Sequence, residues 1–479
     1  MKKAGSSKPG NEELFKWDGK PTFGQALPLA LQHVLAAAVG CVTPAILVAN
    51  AANNAAGGGT VDMGLLIQMS LVFAGLSTFL QLYGNKFRLG SGLPVIIGVS
   101  FAYVPTMTAI ATQAKDVDTI FGAMIIGGII AIIVGLSITQ IRKVFPPLVI
   151  GTVIFAIGLS LYKTAINYMA GNSANTYAVV VEQRGQTEAL VYGSWQNWLV
   201  ALVTLGIVVA LNHYGRGILK LASILIGLVC GYVLALFFGM VDFSALSTAG
   251  WFQIPKPFAF GVRFDISAMI PLGILFLVNS IQAVGDFSAT TTGGMDRLPT
   301  DKELNGGIIG YGISNIVSAC FGCPPTATYS QNVGIVGSTK VVSRKVFSMA
   351  AGILMVAGLI PKFSALLRTS PQCVLGGAVA SVFASIAMTG IKLFVSEGMS
   401  TRNTTVVGLS IAIGMGVSLS PGCLNQMTAT IHQALHLGIV LEDLQAIVNN
   451  TFASSPVVLA TIFAVLLNLV LPKDQPEAN

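Results

Sequence analysis

Charged residues are scarce in this chain. Only 9% of its 479 residues are Asp, Glu, Lys or Arg, whereas an average soluble domain carries about 25%. Hydrophobic residues make up 53% of the sequence, so few polar side chains are left to cover a surface in water. This shortage of charge excludes an ordinary soluble domain. It predicts an all-α polytopic membrane protein whose outer surface contacts the lipid bilayer.

Motifs of catalysis, metal binding and secretion are missing as well. The chain has no HExxH pair, no glycine-rich phosphate loop and no cluster of carboxylates, so we expect neither an enzyme nor a cofactor. Cys320 and Cys323 form a CxxC pair, but no second pair and no neighbouring histidine completes a zinc site. No cleavable leader is predicted, and residues 1–21 are expected to be a cytoplasmic tail. A receptor is disfavoured because the sequence predicts no soluble signalling domain.

Long apolar runs are what the chain has in abundance. A membrane-spanning helix needs about 20 apolar residues. Fourteen segments approach that length: 26–48, 63–83, 93–112, 118–139, 147–166, 197–213, 218–240, 267–287, 304–322, 325–338, 342–363, 372–395, 403–421 and 451–471. The third and the tenth of these are interrupted by proline and glycine. The segment 424–447 is mildly amphipathic, and we expect it to lie along the membrane interface.

Lysine and arginine lie in short clusters between the apolar runs. If the N-terminus is cytoplasmic, seven of these clusters fall on the cytoplasmic side, as the positive-inside rule predicts. The clusters are Lys86/Arg88, Arg142/Lys143, Arg216/Lys220, Arg297/Lys302, Arg344/Lys345, Lys392/Arg402 and Lys473. The opposite loops carry fewer basic residues, and the exceptions are Lys163, Arg184, Lys256, Arg263, Lys362 and Arg368. An even number of spans then places both termini in the cytoplasm and the protein in the cell (inner) membrane. The net charge of +7 follows from this pattern and does not predict nucleic-acid binding.

The two halves of the chain repeat one pattern. The fifth segment opens at Pro146–Gly151 and the twelfth at Pro371–Gly376, and both openings fit P-x-x-V-x-G. The third and tenth segments are both led by proline and broken by glycine. Seven spans in each half is an odd number, so the second copy must be inverted relative to the first. This arrangement is typical of transporters that are built from inverted repeats. In those proteins the substrate site lies near the bilayer midplane, where paired broken helices meet.

The stretch Cys320–Gly337, CFGCPPTATYSQNVGIVG, is uncharged and too polar for an ordinary span. Because backbone polar groups need partners in hydrocarbon, such a segment persists only inside protein or around a cavity. Gln331 and Asn332 carry carboxamides, which offer both donors and an acceptor to an amide-like ligand edge. The same side chains can join one membrane helix to another, so a structural role stays open.

Five further residues are candidates for function. Gln282 and Asp286 lie four residues apart, on one face of the eighth segment, and Asp286 is expected near its cytoplasmic end. An ionisable residue inside a membrane is a functional hypothesis by default, although a carboxylate near the interface can simply be solvated. His33 lies in an uncharged run and is either a proton relay or a neutral, hydrogen-bonded core histidine. Phe101 and Tyr329 can stack on a planar ring or merely pack.

The segment Gln331–Lys340, QNVGIVGSTK, resembles the signature Q/E-N-x-G-x-x-x-x-T-R/K of the nucleobase–ascorbate transporter family. Gln32 and His33 match the Gln-His pair that this family has in its first span. The segment Gln282–Asp286, QAVGD, is similar to the family's E-x-x-G-D element in the eighth span, except at the first position. The likeness covers nearly the whole chain and looks like the bacterial xanthine/urate branch of the family.

The resemblance implies a fold of fourteen transmembrane segments in a seven-plus-seven inverted repeat, with two short β-strands in the broken third and tenth spans. It implies a core domain made of 22–140 and 267–364. A gate domain made of 141–266 and 365–472 would also form the contact of a homodimer. Residues 1–21 and 473–479 would be cytoplasmic tails. The core would move across the gate, which is an elevator-type alternating-access mechanism.

The resemblance also implies a binding site. A nucleobase would lie between the two strands, where Phe101 contacts its ring and the backbone around Phe101 and Ser330 forms hydrogen bonds. Gln331 would hold the edge of the base, with Gln282 and Tyr329 as further contacts. The family's uracil carriers tend to have Glu in place of Gln331, so the glutamine favours a purine, xanthine or urate first. Supporting or coupling roles would fall to His33, Asp286, Asn332 and Tyr311.

Two departures from the family pattern concern the coupling to protons. Gln282 stands where the family usually has Glu, and Tyr311 where it usually has Asp. A glutamine keeps its hydrogen bonds but does not take up a proton. Proton symport is the family default, and an uncoupled purine facilitator is the alternative that these residues leave open. A uracil permease and an inorganic-anion carrier are further alternatives, although no cationic residue lies between Pro324 and Gly337.

Overall fold

The computed structural model describes most of the chain. The described residues are 12–141, 145–171, 192–216, 218–241, 243–420, 422–435, 441–453 and 456–472. Residues 1–11 and 473–479 of the two predicted tails, and the predicted basic pair Arg142/Lys143, lie outside these ranges.

The apolar runs of the sequence form helices. The longer helices are α1 (Phe23–Ala56), α2 (Met63–Tyr83), α3 (Val104–Ala114), α4 (Asp118–Leu136), α5 (Pro147–Met169), α6 (Trp195–Tyr214), α7 (Ser223–Phe237), α8 (Ile266–Met295), α9 (Asp301–Cys320), α10 (Ser330–Thr339), α11 (Arg344–Gly358), α12 (Pro361–Arg368), α13 (Gln372–Val395), α14 (Thr401–Leu419), α15 (Asn425–Leu435), α16 (Leu441–Val448) and α17 (Pro456–Val470). Two strands interrupt them, β1 (Ile97–Val99) and β2 (Thr326–Thr328). Each of the fourteen apolar segments contains at least part of one of these helices.

Several helices have the length of a membrane span. In the part of the chain that the structure describes, seven are long and apolar enough to cross a bilayer: α1, α2, α4, α5, α6, α8 and α13. α11 and α12 pass the same test together but are bent by 79° at their junction. The sequence predicted one span over 342–363. Pro361 instead begins a new helix, because proline lacks the N–H that a continuous helix would need there.

The two strands lie in the broken segments and form a two-stranded antiparallel sheet, which we call the ribbon. Its opposed pairs are Ile97–Thr328, Gly98–Ala327 and Val99–Thr326. A helix follows each strand: the single turn Phe101–Tyr103 and then α3 after β1, and α10 after β2. Because the strands run in opposite directions, these helices leave the ribbon from its opposite ends. All residues of both strands are buried.

The helices pack in two groups. α1–α4 and α8–α11 contact mainly one another, whereas the second group consists of α5, α6, α7, α13, α14 and α17. The most extensive contact in the molecule joins α5 to α13. The repeated P-x-x-V-x-G pattern contributes to it, since its two glycines allow close approach of the backbones. A Cβ at Gly151 would lie 2.7 Å from Phe394 N, and one at Gly376 would lie 2.7 Å from the carbonyl carbon of Tyr168.

The N-terminal residues are bound to one end of the first helix group. Val342 N donates to Leu14 O at 3.1 Å, and Arg344 N donates to Trp17 O at 3.0 Å. The guanidinium of Arg344 pairs with Asp18 at 2.9 Å and lies over the Trp17 ring, 4.7 Å from its centre. We call this side of the molecule the N-terminal face. α10 runs from the ribbon to this face and ends shortly before the contact.

Candidate functional site

The ribbon is packed closely against α1. Tyr329, which follows β2, donates its hydroxyl to Val99 O at 2.6 Å, and the same oxygen lies 3.4 Å from Cys41 Sγ. A Cβ at Gly98 would come within 2.8 Å of the Tyr329 ring, so glycine is what allows the ring to lie over β1. The hydroxyl of Tyr329 therefore donates its hydrogen bond to the backbone of the ribbon.

Asp286 joins α8 to the ribbon. Its carboxylate accepts hydrogen bonds from the hydroxyl of Thr328 and, at 2.8 Å, from that of Ser330, the first residue of α10. These two donors replace part of the hydration that a carboxylate loses on burial, and the side chain is only 8% exposed. The sequence predicted Asp286 near the end of its span. α8 continues beyond this residue to Met295, so Asp286 lies in the interior of the helix, and its place relative to the membrane stays a prediction.

The surface where α8 meets α10 is open. Ser330 and Gln331 are exposed, although they directly follow a buried strand. Gln282, on the same face of α8 as Asp286, is partly exposed. Among the described residues, no atom of a neighbouring element lies within 4 Å of the position that a Cβ would take at Gly285 or Gly334. These two helices therefore present accessible polar groups on one surface. We call this region the α8–α10 surface.

Phe101 lies beyond the other end of the ribbon. It is buried, and its ring meets that of Phe383 edge to face, with the ring centres 5.2 Å apart. Phe383 is part of α13, so this contact joins the two helix groups next to the ribbon. The antiparallel register places Phe101 at one end of the ribbon and Ser330 and Gln331 at the other.

The pairing of the strands changes one expectation. The resemblance implied a base held between β1 and β2, but the strands are hydrogen-bonded directly to each other. Ser100 N donates to Pro325 O and Tyr329 N donates to Ile96 O, both at 3.0 Å. Backbone groups at this depth need partners, and each strand supplies them for the other. We therefore expect a ligand that reaches both ends to lie along the ribbon, between the two helix starts, and its position stays a prediction.

His33 and Asn332 hold α10 against α1. Nδ2 of Asn332 donates to Nδ1 of His33 at 3.0 Å and to the His33 carbonyl oxygen at 3.1 Å. The imidazole also packs against Phe347 of α11, with the ring centres 4.5 Å apart. Both polar side chains are buried. This arrangement corresponds to the structural alternatives that the sequence left open for these two residues.

Tyr311 belongs to a closed aromatic cluster. Its hydroxyl is hydrogen-bonded to that of Tyr103, and both rings pack against Phe276 of α8. All three side chains are fully buried. Tyr311 is therefore not part of the exposed α8–α10 surface, where Gln282 and Gln331 are found.

Reasoning from the sequence missed four residues of this region: Thr78, Asn315, Thr328 and Phe383. Thr328 carried a signal, because Thr326 and Thr328 alternate on a short strand and so share one face. Thr78 and Asn315 bind strand backbone from preceding helices, and Phe383 comes from a distant helix. Their spacing in the sequence gave no indication of these contacts.

Comparisons with known proteins decide the family. The model Xan_ur_permease, described as a permease family, matches residues 24–423. The chain belongs to this permease family, the nucleobase–ascorbate transporters. The xanthine permease XanQ of Escherichia coli K12 is 30% identical over 484 residues, which cover 98% of this chain and 96% of XanQ. The uric acid permease PucJ of Bacillus subtilis 168 is 33% identical over 429 residues, which cover 89% of this chain and 92% of PucJ.

Solved structures show the fold of this permease in other proteins. The transmembrane domain of the cyanobacterial bicarbonate transporter BicA has a TM-score of 0.54 and 18% identity, and the match covers 79% of this chain and 93% of BicA's domain. SLC26A9 has a TM-score of 0.58 and 13% identity, and the match covers 94% of this chain and 66% of SLC26A9. At such identities the likeness concerns the fold alone. The permease is thus a multi-pass membrane transport protein and not an enzyme.

Proposed function

We propose that this permease carries purine nucleobases, xanthine or urate, across the cell membrane, with both termini in the cytoplasm. The observation that carries the proposal is the α8–α10 surface, where Gln282, Ser330 and Gln331 are accessible beside the buried Asp286. The names of XanQ and PucJ, a xanthine permease and a uric acid permease, support the substrate class. Gln331 favours a purine over uracil, since the family's uracil carriers tend to have Glu there.

A purine suits the chemistry of this surface. Each carboxamide, of Gln282 and of Gln331, offers a donor and an acceptor to the N–H and C=O groups on the edge of xanthine or urate. The N–H groups at the start of α10 favour the partial negative charge of the purine carbonyls. Phe101 supplies an apolar contact at the far end of the ribbon, where a flat ring can meet an aromatic one.

We place the coupled proton on Asp286. As a carboxylate it accepts from both Thr328 and Ser330, but once protonated it becomes a donor at one oxygen. The protonated oxygen is a weaker acceptor, so the hydrogen bond from one of the two hydroxyls weakens, and Ser330 lies on the accessible surface. A proton on Asp286 therefore changes the hydrogen-bonding groups that a bound purine meets. His33 is already bonded to Asn332 and has a supporting role in this scheme.

We propose that the two helix groups move past each other in an elevator-type alternating-access mechanism. The core, 22–140 and 267–364, would carry the ribbon and the α8–α10 surface past the gate, 141–266 and 365–472, which would also form the homodimer contact. Contacts between the groups must break in the movement. One is the hydrogen bond from Asn50 Nδ2 to Tyr168 OH at 3.1 Å, and another is the packing of Phe101 on Phe383.

A purine facilitator without proton coupling is the second candidate. Two observations favour it. Gln282 cannot bind a proton, and Tyr311 is closed into the cluster with Tyr103 and Phe276. The family usually has a carboxylate at each of these two positions, so both replacements remove an acid that could release and bind a proton near neutral pH.

Uptake by proteoliposomes that contain the purified protein separates these possibilities. Radiolabelled xanthine, urate and uracil are offered with and without an inward proton gradient. We expect uptake of xanthine or urate and a faster initial rate with the gradient. Purine uptake that is indifferent to the gradient would reject symport and leave the facilitator. Uptake of uracil alone, or of no base, would reject the proposed substrate.

A further inference from the structure

At the first residue of each strand, one side chain binds the backbone groups that face away from the partner strand. In a two-stranded antiparallel sheet, every second residue of a strand turns its N–H and C=O away from the partner strand. At membrane depth those groups need partners within the protein. At Ile97, the first residue of β1, and at Thr326, the first residue of β2, a single side chain supplies both partners.

Thr78 of α2 serves the β1 edge. Ile97 N donates to Thr78 Oγ1 at 2.9 Å, and the same hydroxyl donates to Ile97 O at 3.4 Å. A hydroxyl can accept and donate at once, so one threonine satisfies both backbone groups. The side chain of Thr78 is fully buried, and water has no access to replace it.

Asn315 of α9 serves the β2 edge. Thr326 N donates to Asn315 Oδ1 at 2.8 Å, and Asn315 Nδ2 donates to Thr326 O at 3.2 Å. The carboxamide therefore stands in for the peptide group of a third strand. Nδ2 also donates to Tyr311 O at 2.9 Å, which fixes the side chain to its own helix. Asn315 is fully buried as well.

The two residues occupy equivalent places. Each lies on the helix that immediately precedes its strand, and each binds the first residue of that strand. Because side chains alternate along a strand, a slip of β2 by one residue would turn Thr328 away from Asp286. The same slip would move Ser330 and Gln331, which follow directly.

We propose that Thr78 and Asn315 are positioning residues, which fix the register of the ribbon and thereby the places of Phe101 at one end and Gln331 at the other. The part of this proposal that concerns substrate rests on the proposed function. The part that concerns the ribbon rests on the hydrogen bonds alone, so the two can fail separately.

The test compares Thr78→Val, which keeps the shape and loses the hydroxyl, with Thr78→Ser, which keeps the hydroxyl. Thr152→Val is the matched control. Thr152 is equally buried, and its hydroxyl donates to Leu148 O, the one partner that it has among the described residues. Asn315→Leu removes the carboxamide that binds Thr326 N and O at the edge of β2. Xanthine uptake is measured with the full-length protein in proteoliposomes, and amide hydrogen exchange is followed in peptides covering 93–103 and 321–331.

We expect Thr78→Val to raise exchange in 93–103 and to lower uptake at least about ten-fold, while Thr78→Ser and Thr152→Val stay near the wild type. Asn315→Leu should do the same for 321–331; if it does not fold, the Thr78 variants decide alone. Wild-type exchange and uptake in Thr78→Val would overturn the proposal. If the wild type carries no purine, the proposed function fails. The exchange measurements alone then decide whether Thr78 and Asn315 fix the register of the ribbon.

Discussion

The two broken segments share a backbone design and differ in chemistry. Each contains a three-residue strand that is followed by a helix. The backbone of the strand's first residue is hydrogen-bonded to a side chain of the preceding α-helix. Beyond β1 stands Phe101, which is buried against Phe383. Beyond β2 stand Ser330 and Gln331, which are both exposed, and the hydroxyl of Ser330 donates to Asp286.

This difference indicates that the two halves of the chain contribute different chemical groups to the site. The repeated design supplies two helix starts at opposite ends of one ribbon, and the residue types decide what each end offers. The first half gives an apolar end and the second gives a polar end that holds a carboxylate. A purine has a flat apolar face and a polar edge, so such a site would fix its orientation as well as its position.

Of the substitutions at the polar end of the ribbon, Asp286→Asn should have the largest effect on xanthine uptake. The amide cannot accept from both Thr328 and Ser330 with the strength of a carboxylate, and it cannot bind the coupled proton. We expect xanthine uptake to fall about 100-fold or more and the remaining uptake to lose its response to a proton gradient. Asp296→Asn is the control, since Asp296 is an exposed carboxylate on the N-terminal face, paired with Lys340. Full gradient-driven uptake in Asp286→Asn would refute the role given to this residue.

Gln331→Ala tests the polar end without removing a charge. Loss of a bidentate carboxamide should raise the KM for xanthine about 30-fold with a smaller change in the maximal rate. Gln426→Ala, at an exposed glutamine of α15, should leave both constants unchanged. An unchanged KM in Gln331→Ala would show that the purine edge is held elsewhere.

Phe101→Leu tests the apolar end. Leucine keeps an apolar side chain but loses the ring, so we expect the KM for xanthine to rise about ten-fold while the protein still folds. Phe155→Leu removes a ring that packs on Phe394 within the second helix group and serves as the control. Equal effects of the two variants on KM would mean that the Phe101 ring contributes packing and no ligand contact.

Gln282→Glu should change the rate of xanthine uptake least among these variants, and it tests whether the polar end takes part in proton coupling. A glutamate at this position restores the titratable group that the family usually has, next to the polar end. We expect uptake of xanthine within a few-fold of the wild type and a stronger dependence on pH, measured as initial rates over a pH series. Identical pH profiles of Gln282→Glu and the wild type would argue against a role of this position in coupling.

The sequence supports prediction of the polar end better than of the ribbon that carries it. Gln282, Asp286 and Gln331 attract attention because polar residues are rare and costly in such an apolar chain. The apolar runs likewise predict where helices form, since lipid imposes their length and composition. Both signals are local, and each can be read from a window of a few residues.

Contacts between distant segments carry no such signal. The backbone bonds that Thr78 and Asn315 make depend on how α2 and α9 pack beside the ribbon. A buried threonine or asparagine in an apolar helix has many other possible partners. The direct pairing of β1 with β2, and the bend before Pro361, likewise follow from the assembled structure.

The most direct test is an experimental structure of the protein with xanthine bound in a lipid environment. The account predicts a purine that lies along the ribbon, with its polar edge within hydrogen-bond distance of Gln331 and its ring in contact with Phe101. Xanthine found away from both ends of the ribbon, or bound with Gln331 turned away from it, would contradict the account.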